Sequence, residues 1–180
     1  MKVYVFLADG FEEIEAIAAI DIFRRADIEV TTISVMEEKL VCGAHKIMVL
    51  ADRMFHEADF SDNDLLYLPG GMPGTKNLDD HKGLRNLILK QSQENKKIAA
   101  ICAAPSILGK LGLLNGKEAI CFPGFEDQLE GAIISNEKMV QSGIYSMAKG
   151  AGVAIGFALK LVEELKGKSS ADRISASICV

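Results

Sequence analysis

Three short stretches of this chain carry residue types that do chemistry. The first holds Cys102, in the run Lys97-Ile-Ala-Ala-Ile-Cys-Ala-Ala-Pro105. A cysteine that follows an apolar strand and precedes two small residues and a proline fits a sharp strand-to-helix turn. Such a turn pushes the side chain out of the sheet, as in a nucleophile elbow. Free N–H groups at the helix start behind it favour thiolate over thiol, so a lowered thiol pKa is expected. A structural cysteine at the end of a core strand has the same local pattern. The second stretch is Asp9-Gly-Phe-Glu-Glu-Ile-Glu15, after which Ala16, Ile17, Ala18 and Ala19 follow. A carboxyl on that apolar face is desolvated, which favours its protonated form and suits it to move a proton. Glu12 and Glu13 fit the ordinary role of negative charge at a helix start. The third stretch is Leu68-Pro-Gly-Gly-Met-Pro-Gly74, whose glycines can bring backbone N–H groups close to a developing oxyanion.

The elements that must position these residues follow from hydrophobic patterning. Apolar runs of strand length occur at Lys2–Leu7, Glu29–Val35, Asp64–Leu68 and Lys97–Ile101, with a shorter one at Lys46–Leu50 in an antiparallel excursion. Late strands are expected at Glu118–Cys121, Ile133–Ser135 and Met139–Ser142. Helices are expected at Glu12–Arg25, Leu84–Glu94, Pro105–Leu111 and Gly150–Lys166. Continuous apolar strands alternating with helices indicate an α/β, flavodoxin-like three-layer sandwich with a mostly parallel central sheet. In such a sheet the chemistry lies outside the carboxyl ends of the strands. The three stretches leave those ends and converge if their strands are neighbours. No linker, repeat or low-complexity tract divides residues 1–180, so one domain is expected.

Composition narrows the function. With 49% hydrophobic and 25% charged residues the chain reads as globular, and its net charge of −5 gives no basic surface for nucleic acid. No apolar stretch is long enough to span a bilayer, and the N-terminus lacks a signal pattern, so a cytoplasmic protein is expected. Cys42, Cys102, Cys121 and Cys179 are widely spaced, with no CxxC, and read as reduced thiols. No two of His45, His56 and His81 sit at ligand spacing, so no metal is expected. No GxGxxG or Walker loop is present, so no cofactor is expected.

The three stretches, in this order and at these separations, resemble the ThiJ/PfpI superfamily and within it the DJ-1 branch, from Lys2 through the Gly150–Lys166 segment. The resemblance implies Cys102 as nucleophile, Glu15 as the protonated carboxyl beside it, and Gly70, Gly71 and Ala103 as backbone donors. It also implies a homodimer through the first helix, with Asp21, Arg25 and His45 at or near the interface. Two positions depart from the family. Phe122 stands where many members have a histidine, and Lys149 where many have an arginine; both are expected as walls of the site. Ala103 replaces the histidine of the peptidase-like branch, which disfavours a Cys-His peptidase. The activity implied is a cofactor-independent glyoxalase or deglycase acting on methylglyoxal, other small reactive carbonyls or glycated adducts, through a hemithioacetal on Cys102. A redox-sensing, chaperone-like protein with an oxidisable Cys102 uses the same two residues, and the sequence does not separate the two.

Overall fold

The computed structural model describes residues 1–180. The chain runs β1 (Lys2–Leu7), α1 (Glu13–Arg25), β2 (Glu29–Ser34), β3 (Leu40–Cys42), β4 (Met48–Leu50), β5 (Arg53–Met54) and β6 (Leu65–Leu68). It continues through α2 (Gly74–Asp80), α3 (Lys82–Gln93), β7 (Lys97–Ile101), α4 (Pro105–Lys110), β8 (Glu118–Ala119) and β9 (Ile133–Ile134). It ends with β10 (Met139–Ser142), β11 (Tyr145–Ala148), α5 (Ala154–Lys166) and α6 (Lys168–Ser177).

Seven strands form the central sheet in the order β10-β11-β7-β6-β1-β2-β5. Every pairing is parallel except the β10–β11 hairpin. Because side chains alternate along a strand, each parallel strand serves two cores. Val3, Val5, Leu7, Tyr67, Ala99 and Ile101 face α1, α5 and α6. Tyr4, Phe6, Leu66, Leu68, Ile98 and Ala100 face α2, α3 and α4. The result is the expected three-layer α/β sandwich, and no helix is long and apolar enough to cross a membrane.

The chain lays β2 on one side of β1 and β6 on the other, so the order reverses at β1. A crevice opens outside the carboxyl ends of strands at such a reversal. Strands β1, β6 and β7 are adjacent there, and the loops leaving them are the three stretches that carry the chemistry.

Several elements differ from the sequence expectation. Tyr145–Ala148 is a fully buried central strand, although Tyr-Ser-Met-Ala lacks the β-branched run that marked the others. Gly74–Asp80 is a helix with one buried apolar side chain, Leu78, too few to give a periodic signal. The expected strands at 118–121 and 133–135 shrink to a separate two-stranded pair off the main sheet. The last long helix starts at Ala154, after a single tight turn at Ala151–Val153. Beyond Gly167 the tail forms α6, which docks Ala171 and Ile174 on the first core.

The α5 layer fixes the floor of the site through Phe157, which is fully buried and packs on Tyr67 with ring centroids 6.2 Å apart. Replacing it by alanine removes a large buried side chain and leaves a cavity. Phe157→Ala is expected to cost about 3–5 kcal/mol of unfolding free energy. A lower urea midpoint at unchanged slope is the measurement that checks it.

Candidate active site

Cys102 occupies the turn between β7 and α4 in the left-handed region, at φ 65°. A non-glycine residue held there is strained, and the surrounding bonds over-determine it. Its N–H donates to the Ala148 carbonyl (2.9 Å) and its carbonyl accepts from the Phe122 N–H (2.7 Å). The backbone is thus anchored on both sides, and the half-buried side chain projects into the crevice.

Glu15 sits in the first turn of α1 and is completely buried. One carboxyl oxygen, Oε2, accepts from the Gly70 N–H at 2.8 Å. The other, Oε1, is buried without a hydrogen-bond partner. Around this carboxyl the loops are tied together: the Glu12 N–H donates to the Gly70 carbonyl (2.9 Å), and the Tyr67 hydroxyl donates to the Glu15 carbonyl (3.0 Å).

Burial, the dominant effect, pushes the Glu15 carboxyl from 4.5 up to about 7, while the Gly70 N–H and the thiol pull it partly back. A carboxyl with that pKa exchanges its proton at neutral pH. For Cys102 the expected depression does not occur. Burial first, and then the adjacent Glu15 carboxyl, push the thiol up to about 12. Hydrogen bonds from the Gly71 and Ala103 N–H groups oppose that shift without cancelling it. The helix behind the turn has only six residues and gives the sulfur little dipole to lean on. The resting group is a thiol whose neighbour is a carboxyl able to take its proton.

The glycine loop is needed for close approach. A Cβ on Gly70 would lie 2.6 Å from Cys102 Cβ and 2.8 Å from Glu15 Oε2. Gly71 has φ 90°, and a Cβ there would strike the backbone at Glu12 N (2.4 Å). The family resemblance implies Gly70, Gly71 and Ala103 alike as backbone donors. In the structure Gly70 differs from the other two: its N–H is taken by Glu15, so it positions the carboxyl. The Gly71 and Ala103 amides remain, and both point at the sulfur.

Phe122 and Lys149 lie beside the crevice, half-exposed and exposed respectively. They line an open cavity of about 420 Å³ that borders the elbow. Asp21 and Arg25 pair with each other on the outer face of α1 (Nε to Oδ2, 2.6 Å). His45 is held by Glu13: its N–H donates to Oε1 (2.7 Å) and its Nδ1 meets Oε2 (2.8 Å), with Glu12 Oε2 at 3.7 Å. Burial alone would raise the Glu13 pKa, but the His45 contacts bring it below the usual value. His45 is correspondingly raised by its bond to Glu13. Glu13 therefore clamps the β3–β4 hairpin to α1 rather than serving only the helix dipole. Its partner lies 32 residues away, so no local pattern announces the pairing. The same three side chains are a group with metal-ligand chemistry that His–His spacing did not disclose. As arranged they form an ion pair and its acceptor.

Comparison with known proteins supplies the wider context. The chain is 36% identical over 179 residues to Arabidopsis thaliana protein DJ-1 homolog B, covering 98% of this chain and 41% of that protein. It therefore spans less than half the length of this relative. It is 30% identical to a Schizosaccharomyces pombe protein named glutathione-independent glyoxalase DJ-1, across 99% of this chain and 98% of the other. The solved structure of oxidized Toxoplasma gondii DJ-1 superposes with a TM-score of 0.95 at 36% identity, covering 99% and 97% of the two chains. The DJ-1/PfpI family model matches residues 1–164. With that match taking in all three loops of the crevice, the chain belongs to the DJ-1/PfpI family.

Proposed function

We propose that this chain is a glutathione-independent glyoxalase-type enzyme that converts methylglyoxal or similar α-oxoaldehydes to 2-hydroxy acids, or releases them from glycated adducts. The observation that carries the reading is the buried Glu15 carboxyl, poised near neutral pH against a thiol on a strained elbow. The kinship with the S. pombe protein named a glyoxalase supports it. The Glu15 carboxylate takes the thiol proton as Cys102 sulfur adds to the aldehyde carbon. The developing alkoxide is held by the Gly71 and Ala103 amides and receives the proton back from Glu15, which leaves a neutral hemithioacetal and a carboxylate. Glu15 then carries a proton from the aldehyde carbon to the neighbouring carbon, giving a thioester. Water cleaves the thioester, so methylglyoxal plus water leave as lactate and the thiol is restored. Phe122 offers no acid or base, so Glu15 serves every proton transfer.

The same carboxyl in its neutral form can donate a hydrogen bond to an oxidised sulfur, which favours a second reading: a peroxide-responsive protein. The raised thiol pKa weighs against fast oxidation. We also propose a homodimer through α1 and the β3–β4 hairpin. Ile14, Ile17, Met48 and Leu50 stand exposed on these elements, more apolar surface than isolated side chains account for.

Lactate formed from methylglyoxal tests the enzymatic reading. Cys102→Ser is expected to leave no turnover above buffer, and Glu15→Gln to lose about a hundredfold or more of kcat. A native protein that yields no lactate, yet alters its binding after peroxide, would favour the sensor.

The Glu15 carboxyl also makes stability depend on pH. Its folded value of about 7 exceeds the ordinary 4.5. The stabilisation is therefore complete below pH 4.5 and lost as pH rises through about 7. Between pH 4.5 and 8 the native protein is expected to lose about 3 kcal/mol more than Glu15→Gln. Urea unfolding at both pH values decides it, and parallel losses in the two proteins would refute the assignment. Sedimentation is expected to give twice the chain mass, and Ile17→Glu to return the protein to the monomer.

A further inference from the structure

The cavity beside Phe122 has chemistry that the proton-transfer site does not use. It holds about 420 Å³ and is lined by Phe122, Pro123, Lys138, Lys149 and the Gly150–Val153 turn. It adjoins the elbow, because the residues preceding and facing its walls are the ones that anchor Cys102: Ala148 accepts from its N–H and Phe122 donates to its carbonyl.

Two features of this cavity call for an anion. The β10–β11 register pairs Met139 with Ala148, so Lys138 and Lys149 stand directly opposite each other one step on. The Lys149 N–H donates to the Lys138 carbonyl at 3.0 Å. Like charges directly opposed across an antiparallel pair destabilise it unless something neutralises them. Neither lysine takes part in any of the chain's ion pairs, whereas Lys97 pairs with Glu164 and Lys160 with Glu163. Glu126, on the same loop as Phe122, is occupied by the Gly124 N–H (2.7 Å). The second feature is the start of α5 at the cavity's other side. This 13-residue helix has no side-chain cap and no acidic residue in its first turn, so no carboxylate meets its positive end, although the Ala154 N–H is already taken by the Ala151 carbonyl. The apolar part of the lining is Phe122, whose ring packs against Gly150, where a Cβ would come within 3.3 Å of it.

We infer that this cavity is a recognition subsite for an anionic group at the far end of the carbonyl substrate. Lys138 and Lys149 bind the charge, Phe122 packs against the carbon skeleton, and the aldehyde reaches Cys102. This inference rests on the glyoxalase-type reading for its substrate and on the cavity alone for its anion.

A matched pair of substrates isolates the charge: phenylglyoxal and 4-carboxyphenylglyoxal, which differ by one carboxylate. The native protein is expected to favour the carboxylate by about threefold to tenfold in kcat/KM, the range that two partly exposed ion pairs supply. That ratio is expected to shrink toward one in Lys138→Gln, in Lys149→Gln and in concentrated salt. Native protein that shows no preference, or a preference untouched by both substitutions, overturns the subsite. Binding of terephthalate to Cys102→Ser protein, followed by amide chemical shifts, separates this outcome from failure of the enzymatic reading. Shifts centred on Lys138, Lys149 and Ala151–Ala154, and lost in Lys138→Gln, support the subsite even if neither aldehyde is turned over. Absence of those shifts overturns it whatever the turnover.

Discussion

The arrangement of the site depends on placing one ionisable carboxyl where water cannot reach it. A lone buried carboxylate is so costly that the group must either keep its proton or find donors. Glu15 is given one N–H, from Gly70, and a thiol neighbour. One donor is too few to hold the charge outright, and that insufficiency leaves the pKa near 7 rather than at an ordinary carboxylate value. The surrounding structure follows from this compromise. Gly70 has to be glycine because any Cβ would enter the space between carboxyl and sulfur. Tyr67 and Glu12 bind the loops so that α1 cannot draw the carboxyl back toward solvent.

The elbow serves the same geometry from the other side. A left-handed φ at Cys102 is unfavourable for a residue with a Cβ, and it turns the side chain toward Glu15 instead of along the strand. Backbone bonds to Ala148 and Phe122 hold that conformation from two different segments. The sheet order makes this possible. β7 lies between β11, which supplies Ala148, and β6, which supplies the glycine loop. A topology that separated these strands would leave the same residues with no common site.

Much of this was legible in the sequence, and the part that was not has an identifiable cause. The strands Lys2–Leu7, Leu65–Leu68 and Lys97–Ile101 are apolar on both faces because both faces are covered, and such runs are unmistakable. Glu15 was legible because a carboxyl among alanines and isoleucines has nowhere polar to go. Tyr145–Ala148 was not, since its burial comes from its neighbours rather than its own composition. The Glu13–His45 clamp joins residues whose spacing carries no period. The role of Gly70 was misassigned for a related reason. Glycine in a turn announces close approach, but which atom approaches is decided by a residue 55 positions away.

The thiol is the most instructive difference. A cysteine at a helix start invites the expectation of a thiolate, but a dipole from a six-residue helix is weak beside desolvation and a neighbouring carboxyl. The two groups therefore cannot both be charged at modest cost, and in the proposed reaction the thiol proton passes to the carboxyl as the sulfur–carbon bond forms. A site of this kind keeps its nucleophile quiet until an electrophile arrives. It then needs no second base, which is consistent with an aromatic side chain at position 122. In the proposed reaction the buried carboxyl, rather than a histidine at position 122, carries the proton traffic of the site.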